Sequence, residues 1–191
     1  MARKGAAEHE RAKNDLYRTS DPAAVKALLP HLPPGSRFYE PCAGHGDLIF
    51  QLIEAGHRCV GALDIEPPEH SFWLSSLDDP TEYPIKQGDA RAFYASKHWD
   101  HIDLFITNPP WTRDVMHQII HWLYWQRPFW ALFDARWVHT EQARPYLPLC
   151  RKIVSVGRLR WFEGTPHKDT NDAAWHLFAP AGTTEFIGRA A

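Results

Sequence analysis

Apolar positions in this chain follow two rhythms, short unbroken runs and stretches with helical spacing, and the two alternate. Residues 37–40, 58–63, 103–107 and 129–133 read as buried strands, each of strand length and bounded by turn or charged residues. Residues 48–55 form an amphipathic helix ended by Gly56, and Val115, Met116, Ile119, Ile120 and Leu123 mark one face of another. Asp21 and Pro22 open a helix running to about Leu29, with the acid as N-cap and the proline in the first turn. Residues 67–84, which contain Pro67, Pro68 and Pro80, read as an irregular connection. Residues 140–149 read as a short helix broken by Pro145 and Pro148. No helix separates the runs at 153–156 and 174–178, so they should pair as an antiparallel hairpin at one edge. The whole pattern predicts an α/β fold with a mostly parallel, doubly wound sheet.

Composition narrows the setting. At 191 residues the chain fits one domain large enough to bury a core, with a charged N-terminal tail at 1–14 and the domain at 15–191. No apolar run approaches the ~20 residues that cross a bilayer, and nothing resembles a signal peptide, so the expectation is cytoplasmic with no membrane partner. Cys42, Cys59 and Cys150 are far apart, which indicates neither a disulfide framework nor a zinc ribbon. A net charge of −2 disfavours a dedicated nucleic-acid binder. However, Arg151, Lys152, Arg158, Arg160 and Lys168 lie close together, and nine tryptophans offer stacking faces as well as core. His117 and His121 are one helical turn apart but have no evident third ligand, so no metal is expected. His139 reads as a cap ahead of a substrate contact.

Chemistry concentrates at two motifs. Asn108-Pro109-Pro110-Trp111 follows the apolar run at 103–107. An amine conjugated to a ring or carbonyl is a poor nucleophile, and activating it requires fixed acceptors for both N–H protons. The Asn108 side-chain oxygen and the Pro109 carbonyl suit that task, and Trp111 offers a face for an extruded base. Taken alone, the tetrad is equally a turn closing a strand. Upstream, Glu40-Pro41-Cys42-Ala43-Gly44-His45-Gly46-Asp47 joins a strand to a helix through a Gly-x-Gly loop, which lets a backbone approach a ligand at a helix N-terminus. The loop lacks the third glycine of the dinucleotide fingerprint, and no Gly-Lys-Ser/Thr is present. Asp64 ends the next strand about 20 residues on, the interval of an acid that grips ribose hydroxyls, with Glu66 as a competitor.

Together these motifs resemble those of class I S-adenosylmethionine-dependent methyltransferases, specifically small phage-like amino-methyltransferases of the adenine-N6 type. The resemblance spans about Tyr17 to Phe178. It implies a single Rossmann-like methyltransferase domain with a C-terminal antiparallel hairpin; the chain departs from the sequence-specific DNA enzymes in having no separate target-recognition domain, its longest insertions being 67–84 and 157–172. It makes S-adenosyl-L-methionine the cofactor, held by Glu40, Pro41, Ala43, Gly44, Gly46, Asp47, Asp64, Ile65, Asp89, Ala90 and Asn108. Asp64 is favoured over Glu66 on this ground, and Asp89 is the acid of a third motif. Thr19 or Ser20 would touch the cofactor carboxylate, although the proline that usually follows the threonine is missing. Asn108, Pro109, Pro110 and Trp111 would be catalytic. Arg158, Arg160, Lys168 and a base sandwich of Trp111 with Trp161 or Phe162 would bind substrate. The implied substrate is nucleic acid, DNA ahead of RNA, with N6 of adenine as target; a homodimer is admitted. RNA adenine or protein glutamine is the alternative substrate, and a non-catalytic cofactor- or nucleic-acid-binding subunit is the alternative of another class.

Overall fold

The computed structural model describes residues 17–92, 101–161, 168–180 and 182–189, so the tail expected at 1–14 and Phe162 lie outside the described residues. Helix α1 (Pro22–Leu28) continues into a 3₁₀ turn over Leu29–His31, followed by strand β1 (Arg37–Glu40), helix α2 (Asp47–Glu54) and strand β2 (Arg58–Asp64). Strands β3 (Phe72–Ser76), β4 (Asp79–Pro84) and β5 (Lys86–Gln87) precede β6 (Leu104–Thr107), helix α3 (Arg113–Tyr124) and β7 (Phe129–Asp134). Strands β8 (Cys150–Gly157), β9 (Ala173–Phe178) and β10 (Glu185–Ile187) follow.

Eight strands form one sheet in the order β10-β8-β9-β7-β6-β1-β2-β5. From β7 through β5 every pair is parallel, and β9 runs antiparallel to both β7 and β8. Strand alternation divides the core in two. Along β7, Trp130 and Leu132 join Leu28 of α1 and Leu52 of α2, while Phe129, Ala131 and Phe133 join Ile119, Ile120 and Leu123 of α3. Helices therefore cover both faces, and the doubly wound α/β architecture expected from the pattern is the one observed. Each such Leu, Ile or Phe contributes about 1.5–3 kcal/mol through burial. The Asp21 cap also forms, its side chain accepting from the Ala23 N–H at 3.1 Å.

Three expectations are corrected. Residues 67–84 are not irregular throughout, because β3 and β4 pair as a separate antiparallel ribbon with Trp73 stacked on Tyr83 at 4.6 Å. Pro80 and Pro84 hide the second strand, since proline lacks a ladder donor, a loss that a two-stranded edge tolerates. No α-helix forms over 140–149; short 3₁₀ turns occupy Ala135–His139, Glu141–Ala143 and Leu147–Leu149. Pro145 and Pro148 cannot supply the N–H groups of a continuous helix. The hairpin of β8 and β9 is antiparallel as expected but does not form the edge, because β10 adds in parallel outside β8.

His176 on β9 is fully buried and lies flat on Phe133, with ring centroids 3.9 Å apart and planes 4° from parallel. Neither ring nitrogen makes a well-formed hydrogen bond, and burial pushes the pKa down to about 3 against the weaker opposing pull of the Ala131 and Ala174 backbone and the Asp134 charge. A group with a depressed basic pKa binds its proton more weakly folded than unfolded. Its contribution to stability is complete above the unfolded value near 6.5 and is lost as pH falls from there toward 3. At pH 5 the loss from this residue should reach about 2 kcal/mol, at ~1.4 kcal/mol per pH unit. Buried Glu40 titrates with the opposite sign, so the informative quantity is a difference between variants. Chemical denaturation at pH 7 and pH 5 should show His176→Phe losing less stability on acidification than wild type. Equal losses would exclude His176 as the cause.

Candidate active site

Parallel strands deliver their C-terminal ends to one rim of the sheet. β1 and β6 are paired neighbours, with Phe38 opposite Leu104 and Tyr39 opposite Phe105, and β2 lies on the other side of β1. From β1 the chain winds toward β2 and β5, and from β6 toward β7, so strand order reverses between β1 and β6. Open α/β sheets form crevices at such a reversal. A cavity of about 430 Å³ lies there, a size typical of small-molecule sites, roughly 300–1,000 Å³.

Thr19, Glu40, Pro41, Ala43, Gly44, Asp47, Asp64, Ile65, Asp89, Ala90 and Asn108 all line this cavity. Pro110 lines it too, while Pro109, Trp111, Trp161, Arg158, Arg160 and Lys168 do not. Gly46 also stays out of the lining and acts through the backbone. It caps α2 at a φ of 84°, and a Cβ there would stand 2.9 Å from the Phe72 carbonyl oxygen. Only glycine meets both conditions without displacing β3. Tyr17, Arg18, His45, Glu69 and Arg91 line the cavity as well and were not singled out from the sequence. Arg18 and Arg91 stand within two residues of Thr19 and Asp89, and that proximity was the available signal.

The acids differ in what they do. Glu40 is 1% exposed, and its Oε2 has no hydrogen-bond partner. Burial raises its pKa well above the usual carboxylate range, the Thr107 hydroxyl and the Asn108 backbone N–H counter this, and the charges of Asp64 and Asp47 add to it. Asp64 braces the loop, its Oδ2 accepting from the Gly44 N–H at 2.9 Å and its Oδ1 from the Glu66 N–H at 3.0 Å. Asp89 accepts from the Arg91 side chain, at 2.6 Å to Oδ2, and from the Arg91 backbone N–H at 2.8 Å. The Arg91 hydrogen bond holds the Asp89 pKa below the ordinary carboxylate value.

Asn108 is fixed at both ends. Its Nδ2 donates to the Thr19 hydroxyl at 3.0 Å and the Tyr17 carbonyl at 3.2 Å. Its Oδ1 accepts from the Trp111 indole N–H at 3.1 Å, which is shared with the Leu132 carbonyl at 3.2 Å. The expected parallel sandwich of Trp111 and Trp161 is not the arrangement found. The rings meet edge to face, with centroids 5.4 Å apart and planes at 86°. Trp161 is 6% exposed, packs near Tyr17 and donates from Nε1 to Asp169 at 2.9 Å. A base cannot enter between rings already in contact. The indole hydrogen bond and the apolar surroundings favour burial of Trp161. Arg158, Arg160 and Lys168 are exposed, and the Arg160 N–H donates to Asp21 at 3.1 Å.

Among the histidines, His117 accepts from the Trp137 indole at 3.0 Å and lies against Tyr146, while His121 and His139 are exposed. Among the described residues no three His, Cys, Asp or Glu side chains converge as a metal site, and no helix is long and apolar enough to cross a membrane.

No protein-family model and no curated protein matches the sequence. Solved structures do match the fold. A TehB-like SAM-dependent methyltransferase from Corynebacterium glutamicum superposes with a TM-score of 0.50 at 17% identity, over 89% of this chain and 91% of its own. A type I restriction-modification system methyltransferase subunit from Streptococcus thermophilus gives 0.56 at 10% identity, over 90% of this chain and 47% of its own. A dimethyladenosine transferase from Plasmodium falciparum gives 0.54 at 16% identity, over 83% and 61%. The chain therefore has the Rossmann-like fold of SAM-dependent methyltransferases.

Asp64→Ala removes acceptors from two loop N–H groups and should lower stability by about 1–3 kcal/mol in the absence of any ligand. Asp64→Asn keeps one acceptor oxygen and should lose less. Thermal melts of both variants check this, and an unchanged Asp64→Ala would show that the loop stands without its brace.

Proposed function

We propose that this protein is an S-adenosyl-L-methionine-dependent methyltransferase acting on an exocyclic amine, foremost N6 of adenine in DNA. The observation that carries the reading is the placement of Asn108 and Pro110 on the wall of the same cavity as the Gly44 loop, Asp64 and Asp89. The cavity fits the cofactor chemically. Glu40, Asp47, Asp64, Glu66, Glu69 and Asp89 outnumber Arg18 and Arg91 along its lining, which suits a ligand bearing sulfonium and ammonium charges. The orphaned Glu40 Oε2 is a buried acceptor suited to such a cation. Glu40, Asp64 and Asp89 would hold the cofactor, with Gly44 and Ala43 allowing close backbone approach. When bound, it supplies a methyl group made electrophilic by the adjacent sulfonium.

The residues of the chain do the rest by positioning. Asn108 Oδ1, on the cavity wall, would accept a hydrogen bond from one amine N–H, and the Pro109 carbonyl, between two lining residues but itself outside the lining, would accept the other as the substrate enters, so that the nitrogen lone pair is left free. Held in this way, the amine would take up the methyl group that the cofactor supplies, the sulfur would keep the bonding pair, and the surplus proton would leave to solvent. Preorganised acceptors and alignment supply the rate enhancement, with no general base required. Nucleic acid would approach from the side of Arg158, Arg160 and Lys168, which follow β8, because Glu66 and Glu69 follow β2 toward the other end of the strand order and lead into the acidic β3–β4 ribbon.

Asn108→Ala should leave cofactor affinity nearly unchanged and lower methyl transfer by about 10²–10³, the usual loss for one preorganised polar partner. Calorimetry with the cofactor and a labelled-methyl assay on mixed DNA and RNA, digested to nucleosides, test both halves. Wild-type activity in the variant would overturn the assignment, and label in guanine, cytosine or protein would overturn the target.

Extrusion from a duplex costs a few kcal/mol, so unpaired or mismatched adenines should react faster than paired ones. Comparing single-stranded, mismatched and paired oligonucleotides checks this. Reaction confined to one short paired motif would reveal a recognition element beyond the cavity.

A further inference from the structure

Residues 17–19 line the cavity, and segment 17–21 is a strap tied at several points. Arg18 pairs with Asp47 at 2.6 Å, the Thr19 carbonyl accepts from Gln51 Nε2 at 2.6 Å, and Asp21 accepts from the Arg160 N–H. Between these anchors lies the Thr19 hydroxyl, 6% exposed as a residue and 3.0 Å from Asn108 Nδ2. A side-chain amide is nearly symmetric in shape, so a half-turn about its last bond exchanges oxygen and nitrogen. Only one orientation serves an amine: the other opposes N–H to N–H and leaves the target protons without an acceptor.

We propose that Thr19 is a positioning residue that, together with the Tyr17 carbonyl, locks the Asn108 amide with Oδ1 turned away from the strap. This inference rests on the reading of Asn108 as the amine acceptor. The surrounding groups select that orientation. The Tyr17 carbonyl can only accept and the Trp111 indole N–H can only donate, so a reversed amide would face an acceptor with its oxygen and a donor with its nitrogen. A half-turn would break the bonds to the Tyr17 carbonyl and from the Trp111 indole at once, while the Thr19 hydroxyl, by accepting the second Nδ2 proton, holds the amide plane in which those two partners are met. The strap also links the glycine-loop helix to Asn108, because Gln51 of α2 holds the Thr19 carbonyl and Asp47 of α2 holds Arg18, which lies between the two residues that hold the amide.

The test separates this role from direct cofactor contact. Thr19→Val should lower kcat at saturating cofactor and DNA about tenfold, with the cofactor Kd changed by less than about twofold. Thr19→Ser keeps the hydroxyl and should restore activity. Thr19→Ala gives the same readout should the valine variant fold poorly. In ¹H–¹⁵N spectra, assigned by their loss in Asn108→Ala, the Asn108 side-chain amide protons should exchange slowly in wild type and Thr19→Ser and faster in Thr19→Val. Weaker cofactor binding with unchanged kcat would make Thr19 a cofactor contact and overturn the proposal. Unchanged amide exchange in Thr19→Val would also overturn it. Full activity in Asn108→Ala would instead overturn the parent reading, an outcome distinguishable from either.

Discussion

Everything in the cavity depends on the parallel pairing of β2, β1 and β6. A parallel sheet ends all its strands at one rim, and each chain must turn away there with backbone groups that the ladder no longer satisfies. Glu40, Asp64 and the Asn108 tetrad stand at or just beyond those three ends, which is why residues far apart in sequence meet around one space. Strand order reverses between β1 and β6, so the chains leaving them part to opposite sides and no crossover fills the gap. The site follows from topology before any side chain is chosen.

Side chains then rigidify that opening. Asp64 uses both carboxylate oxygens on loop N–H groups and joins the end of β2 to the loop after β1. Gly46 lets the Phe72 carbonyl come close, which sets the β3–β4 ribbon against the start of α2. Glu40 works in the opposite direction. A buried carboxyl group with an unpartnered oxygen costs stability, and a bound cation offsets that cost by favouring the ionised form and giving the oxygen a partner. On the proposed reading, the fold keeps this unfavourable residue because the ligand completes it.

Much of this was legible in the sequence because parallel interior strands are buried on both faces and appear as unbroken apolar runs. The runs ending at Glu40, Asp64 and Thr107 are of that kind, and the motifs beside them line the cavity. The β3–β4 ribbon was not legible, since its residues are mostly half-buried or exposed and prolines interrupt the second strand. Three-residue β10 is too short to carry a period. The sequence pattern could nominate Trp161 as an aromatic near the site but could not say which way its ring turns. Asp169, eight residues on, decides that by accepting the indole N–H. The Asp89–Arg91 pairing was hidden for a similar reason, because spacing of two along an irregular segment does not reveal whether two side chains fold back on each other.

The buried position of Trp161 changes how selectivity must arise on the proposed reading. A two-sided aromatic clamp would hold any base by stacking, since every base has a flat face. With Trp161 turned inward, discrimination falls to the acceptor pair. Asn108 Oδ1 and the Pro109 carbonyl accept hydrogen bonds and cannot donate, so they reject the ring carbonyls of thymine and favour a base that presents an exocyclic amine. Such a pair is selective only while the amide cannot reverse, because a reversed amide would offer N–H groups to those same carbonyls. The strap that fixes the amide would therefore protect specificity along with rate, and the two properties would be lost together.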